Sequence, residues 1–167
     1  KIMHYINYHR HDCYSNLATL DCVSKPEDYI KRIKELGETN YFTTQHGWTG
    51  DVHQCYSLCK KNNLKCIVGA EVYYVDDRKK KDKSNYHLII ICLNLNGYHD
   101  LNRIISEANR TGYYYKPRID KELLLSLNPE NVVITTACVA GRLFKTLNYK
   151  TEFLMPVMQH FGKHFFL

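Results

Sequence analysis

Apolar and polar residues follow two alternating rhythms along this chain, one with the period of a strand and one with that of a helix. From about Met3 to His9 they alternate singly, which predicts a first strand, because successive strand side chains face opposite sides. "SKPEDYIKRIKELG" then sets Tyr29, Ile30, Ile33 and Leu36 at helical spacing. Ser24 reads as its N-cap, Pro26 as first-turn proline, Glu27 as the partner in a capping box and Gly37 as the stop. "YFTTQH" predicts a strand ending at His46. "TGDVHQCYSLCKKNN" predicts a helix with Val52, Cys55, Tyr56 and Cys59 on one side.

The second half repeats the alternation. "KCIVGAEVYYV" is a long β-branched run and "YHLIIICL" a nearly continuous apolar one, both strands. The charged turn "DDRKKKDKSN" joins them. "NGYHDLNRIISEANRTG" predicts a helix with Tyr98, Leu101, Ile105 and Ala108 inward. "YYYKPRIDKELLLSL" reads as a loop entering a short helix, and "NVVITTAC" as another buried strand. "KTEFLMPVMQHFG" reads as a helix broken by Pro156, and "HFFL" as the start of a strand.

Strand-helix alternation predicts an α/β architecture with parallel strands. In a closed barrel of that kind, chemistry gathers where strands end. His9, His11, His46 and Cys138 all fall at or near such ends. His87 begins its strand instead. Pairing of Val72–Tyr74 with Tyr86–Leu88 as a hairpin would set it opposite Tyr73 or Tyr74, in diagonal reach of Glu71.

Composition narrows the class. The 167 residues suffice for one domain with a core, and 44% are apolar, so the chain is globular. No apolar run reaches membrane-spanning length, and "KIMHYINYHR" has no secretory h-region, which points to the cytoplasm. Seven cysteines, an odd number without disulfide spacing, fit reduced thiols. Cys55, Cys59 and Cys66 lack the partners of a zinc finger and read as core. A net charge of +6 suits a polyanionic partner without requiring one.

Polar residues in buried strand contexts are the candidate chemistry: His9, His11, His46, Glu71, His87 and Cys138, with Asp21 following the first strand. Imidazole, carboxylate and thiolate together suit zinc, manganese or iron. One carboxylate can bridge two metals, and paired metals clamp a phosphoryl group. No Ser-His-Asp nucleophile set is evident. In "YYYKPRID", Tyr113, Tyr114, Lys116 and Arg118 are candidates for stacking bases and gripping a strand. The plainer reading is a Pro-anchored loop packed on the barrel. "DDRKKKDK" reads first as a solvated turn.

"YHRHDCYSN", "TTQHGWTG", "IVGAEVYYV", "YHLIIICLN" and "TTACVAGRLF" resemble, in order, the motifs of PHP (polymerase and histidinol phosphatase) domains. "GYYYKPRIDKELL" is similar to a segment of the N-terminal PHP domain of bacterial DNA polymerase III alpha subunits. The resemblance implies a distorted (β/α)7 barrel holding up to three divalent metals. His9 and His11 would hold one with Glu71. Glu71 would bridge to a second, held by His87 and Cys138. His46 would hold a third with Asp21, or with Asp12, since the spacing to Asp21 is longer than usual.

The family closes its site with a late Asp-x-His motif that does not occur before Leu167. Residues 1–167 are therefore expected to be an N-terminal portion of the domain, truncated before its last strands, with exposed apolar surface at the final helix and strand. The polymerase domains of a parent protein would lie elsewhere. The implied activity is a metal-dependent phosphoesterase, a 3′-5′ exonuclease acting on a DNA primer end. The alternatives are a structural module that stabilises the polymerase or docks a proofreading subunit, and a free-standing histidinol-phosphatase-like enzyme.

Overall fold

The computed structural model describes residues 6–17, 20–145 and 151–167. A short 3-10 turn at Cys13–Leu17 precedes α1 (Pro26–Glu35), β1 (Asn40–Thr43), α2 (Val52–Lys61), β2 (Lys65–Tyr74) and β3 (Tyr86–Cys92). Then come α3 (Leu95–Thr111), β4 (Arg118–Ile119), α4 (Lys121–Leu125), β5 (Val132–Thr135), α5 (Arg142–Lys145), α6 (Thr151–Phe161) and β6 (Phe165–Phe166). No helix among the described residues is long and apolar enough to cross a membrane.

The strands form one sheet in the order β1-β2-β3-β5-β6, with β4 also pairing β2. Its directions are mixed, not parallel as alternation predicts. β1 and β4 run parallel to β2, β3 runs antiparallel to both β2 and β5, and β6 is parallel to β5. The cause is the connection between β2 and β3, which is a charged loop and not a helix. Without a crossover, β3 must return antiparallel.

Period-two alternation divides the sheet into two faces. Ala70, Val72 and Tyr74 of β2, with Leu88 and Ile90 of β3, pack on α3, α4 and α6 in the main apolar core. Leu101, Ile104, Ile105 and Ala108 are the inward face of α3. Glu71 and Tyr73, with His87 opposite Tyr73, take the odd positions and share the other face. A second core joins α1 to α2 through Ile30, Ile33, Tyr41, Cys55 and Cys59. The two helix cysteines are core residues, as their spacing predicts.

Several boundaries differ from the sequence expectation. The start of the predicted first strand, Met3–Tyr5, lies outside the described residues, and residues 6–9 form no ladder. The Thr44 hydroxyl replaces one: it accepts from Arg10 N at 2.8 Å and donates to Arg10 O at 2.9 Å. The cap of α1 is Lys25, not Ser24, and Asp28, not Glu27, returns a carboxylate to the Lys25 N–H at 2.9 Å. Gly37 ends the turn with φ of 69°. Pro156 sits inside α6 without breaking it.

The charged turn is anchored more firmly than a solvated loop. Arg118, 2% exposed, donates to the backbone carbonyls of Arg78, Lys80, Asp82 and Gly112. Arg78 is itself buried against Asp120 at 2.7 Å. At the other end Met155, Met158, Phe166 and Leu167 are exposed, matching the apolar surface expected there.

Candidate metal centre

Glu71 stands in the middle of the sheet, with backbone partners on both sides. On one edge it pairs with Ile89; on the other its N–H donates to Gln45 O at 3.0 Å and its carbonyl accepts from Gly47 N at 2.8 Å. This second pairing extends β1 and delivers His46 directly beside it. Gly47 has φ of 70°, and a Cβ there would meet Pro117 and Tyr73 at 3.1 and 3.2 Å. Glycine is thus required for the turn that brings His46 and the Pro117 loop together.

Four imidazoles converge on this one carboxylate. His11 Nε2, His46 Nδ1 and His9 Nε2 lie 2.8, 3.1 and 3.2 Å from Glu71 Oε2. His87 Nδ1 lies 2.6 Å from Oε1. His9 and His11 project side by side, their Nε2 atoms 2.9 Å apart. Arg10 between them turns away and lies over the rings of Tyr29 and Tyr41. The alternation expected of a strand therefore survives where the ladder does not.

Asp21 joins the cluster through His46 Nε2, at 3.0 Å from its Oδ2. Of the two aspartates, Asp21 is the one that reaches His46. Asp12 is fully buried elsewhere, accepting from the Tyr41 hydroxyl at 2.8 Å and from Tyr14 N at 2.9 Å. Cys138 sits at the rim, its Sγ 3.7 Å from His87 Nδ1. It is held by a tight turn in which Ala137 adopts φ of 59° and Ala140 O accepts from His87 N at 3.2 Å. A non-glycine residue in that region is strained, and strain of this kind collects at functional sites.

The electrostatics fit a cation. Glu71 is 1% exposed, and neither carboxylate oxygen accepts a hydrogen bond among the described residues. Burial alone would raise its pKa; the surrounding imidazoles outweigh burial and hold the carboxyl ionised, well below the usual range. Burial pushes the pKa of His46 down, with Glu71 opposing, which favours the neutral ring that ligates metals. A buried carboxylate with four imidazole nitrogens within 3.2 Å is a donor set arranged around shared points. Three overlapping groups have ligand atoms within 4.8 Å of one another: His9, His11 and Glu71; His11, Asp21 and His46; His46, Glu71 and His87. The last two add His11 and His46 to sets in which the family pattern did not place them. Cys138 lies outside all three.

The "YYYKPRID" loop borders this cluster. Lys116 Nζ lies 5.4 Å from the centre of the Tyr73 ring, and Tyr73 in turn contacts the rings of His46 and His87. Tyr113 is 63% exposed. Tyr114 lies against Tyr115 and under Arg118. Arg118 cannot serve as the strand-gripping group expected of it, because its guanidinium is buried and bonded to four carbonyls.

Sequence reasoning missed the residues behind the site. Ser15, Thr43, Thr44, Gln45 and Asp51 are all buried. Three consecutive polar residues, "TTQ", at the end of a buried strand were the available signal.

A family model described as the PHP domain matches residues 7–166. The chain belongs to the PHP domain family. Among curated relatives, a DNA polymerase III subunit alpha of Helicobacter pylori is 34% identical over 151 residues, covering 89% of this chain and 12% of the relative. Proteins of the same name from Chlamydia pneumoniae and Treponema pallidum are 30% and 32% identical, covering 89% and 84% of this chain. This PHP chain thus spans about one eighth of the length of the relatives it matches.

Proposed function

We propose that this PHP domain serves a replicative DNA polymerase III alpha subunit as a metal-dependent phosphoesterase, a 3′-5′ exonuclease trimming mispaired primer ends. The observation that carries the reading is the buried Glu71 carboxylate, with nitrogens of His9, His11, His46 and His87 within 3.2 Å and neither oxygen accepting a hydrogen bond among the described residues. Such a group is costly without a cation. We assign His9, His11 and Glu71 to one divalent ion, Glu71, His87 and Cys138 to a second, and His46 with Asp21 to a third. Zinc, manganese and iron all suit these donors. Bound there, divalent ions would supply an activated water and neutralise charge at phosphorus.

The chain's own groups have separable tasks. Glu71 would supply the anionic oxygens that the bound ions share. Tyr73 walls the cluster and excludes water from one side. Lys116, at the edge of that wall, would meet a phosphate of the substrate strand. Tyr113 offers an exposed ring for a base. Tyr114 is held by its neighbours and shapes the loop. In a parent polymerase, the downstream polymerase domains would present the primer end, and the cytoplasm is the expected setting.

The test is release of nucleotides from a primer with a mispaired 3′ end in the presence of manganese, comparing the wild-type protein with Glu71→Gln. Cleavage lost in the variant supports the reading. Metal binding without cleavage of DNA would favour a scaffolding module. Hydrolysis confined to small phosphate monoesters would favour the histidinol-phosphatase type.

A further inference from the structure

Behind the cluster, a buried polar path leads from α2 back to His11. Asp51, beside the start of α2, is 1% exposed. Its Oδ2 accepts from Gln45 Nε2 at 2.9 Å and from the Thr43 hydroxyl. Gln45 Oε1 accepts from the Ser15 hydroxyl at 2.6 Å and from the Asp12 N–H at 3.3 Å. Ser15 Oγ lies 2.9 Å from His11 Nδ1.

Donors and acceptors along this path follow by exclusion. The Asp12 backbone nitrogen can only donate, so the Gln45 atom facing it is the carbonyl oxygen. The Gln45 amide group then faces Asp51, which accepts. Ser15 has one hydroxyl proton, and Gln45 Oε1 can only accept, so that proton is committed to Gln45. Toward His11, Ser15 is therefore the acceptor, and Nδ1 of His11 carries a hydrogen. In the neutral ring, Nε2 is then bare.

We propose that Asp51 and Gln45 are positioning residues that act through Ser15 to fix His11 as the Nδ1–H tautomer, presenting the Nε2 lone pair to the site. Nε2 lies 2.8 Å from Glu71 Oε2. Two atoms that both carry lone pairs repel at that distance, and a cation bound by both relieves the repulsion. Groups behind metal ligands commonly set ring orientation and tautomer in this way. Protonation of Asp51 does not undo the path. Burial favours the protonated form, and Oδ1, which has no partner among the described residues, is the oxygen free to take the proton. Oδ2 accepts in either state.

The purpose of this device rests on the metal reading, but the tautomer is measurable without metal. Ring 15N shifts of the metal-free protein, taken at about pH 8 and so above the usual histidine pKa of about 6.5, read it directly. The His11 signals are assigned by their loss in His11→Gln. The expected result is a proton on Nδ1 in the wild type and loss of that preference in Ser15→Ala and Gln45→Met. Affinity for zinc or manganese should fall roughly 10–100-fold in both variants. A wild-type proton on Nε2 overturns the proposal, and this holds even if the variants fail to fold. Retention of the Nδ1–H preference in both folded variants overturns it as well. A switched tautomer with no metal bound by any of the proteins would uphold the path and defeat the metal reading instead.

Discussion

His87 reaches Glu71 diagonally across the β2–β3 pair, Nδ1 to Oε1 at 2.6 Å, two positions out of register. The relationship depends on antiparallel pairing. Were β3 parallel to β2, His87 would begin its strand at the opposite end of the sheet. The hairpin is therefore what turns the first residues of one strand toward the last of another.

The first prediction concerns the glycine that lets this pairing close. A Cβ on Gly69 would stand 2.4 Å from the Ile90 carbonyl oxygen, a backbone atom that cannot swing away. Gly69→Ala should cost about 1–3 kcal/mol in urea unfolding, the usual range for overpacking. Because it displaces β2 two residues before Glu71, bound metal should fall with it. Wild-type stability and metal content would show that the strands separate at no cost.

A second prediction separates two basic residues of one loop. Arg118 holds four backbone carbonyls, and a lysine cannot span them. Arg118→Lys should lose about 2–4 kcal/mol of stability, since each hydrogen bond to a charged group is worth roughly 1.5–3 kcal/mol and some are remade. Lys116→Ala should cost less stability than Arg118→Lys and weaken binding of a single-stranded oligonucleotide, more so at low salt. Fluorescence anisotropy beside thermal melts distinguishes the two. Equal effects of both changes on DNA, with no loss of stability in Arg118→Lys, would return Arg118 to the strand-gripping role.

Much of this was legible in the chain. His9, His11, His46, Glu71 and His87 stand out because ionisable residues interrupt runs that otherwise bury apolar side chains, and all five meet. The hairpin pairing of His87 follows from the turn residues between two β-branched runs. That hairpin made the β2–β3 direction legible, but the antiparallel pairing of β3 with β5 was not, because strand-helix alternation alone suggests parallel neighbours. Nor was the support behind His11: Ser15, Gln45 and Asp51 are ordinary polar residues in sequence, and only their burial makes them a path. Arg118 was misjudged because a basic residue among tyrosines looks like a nucleic-acid contact until the chain folds carbonyls around it.

A third prediction is a pH dependence away from the imidazoles. Burial raises the pKa of Asp51, with donors from Thr43 and Gln45 opposing. A carboxyl whose folded pKa is raised binds its proton more tightly when folded. Its contribution is present in full below the unfolded value of about 3.9 and is lost as pH rises through the raised folded value. Each unit of such a shift is worth about 1.4 kcal/mol. Asp51→Asn should therefore flatten the decline of stability with rising pH across that window. An unaltered profile in the variant would show that Asp51 does not titrate there.

The central claim is that the Glu71 cluster holds metal, and metal analysis of protein purified without chelators tests it most directly. The expected result is one or more equivalents of zinc, manganese or iron per chain, and loss of that metal in Glu71→Gln and in the double variant His9→Ala/His11→Ala. Wild-type protein that takes up no divalent metal, or Glu71→Gln that retains the wild-type amount, would contradict it.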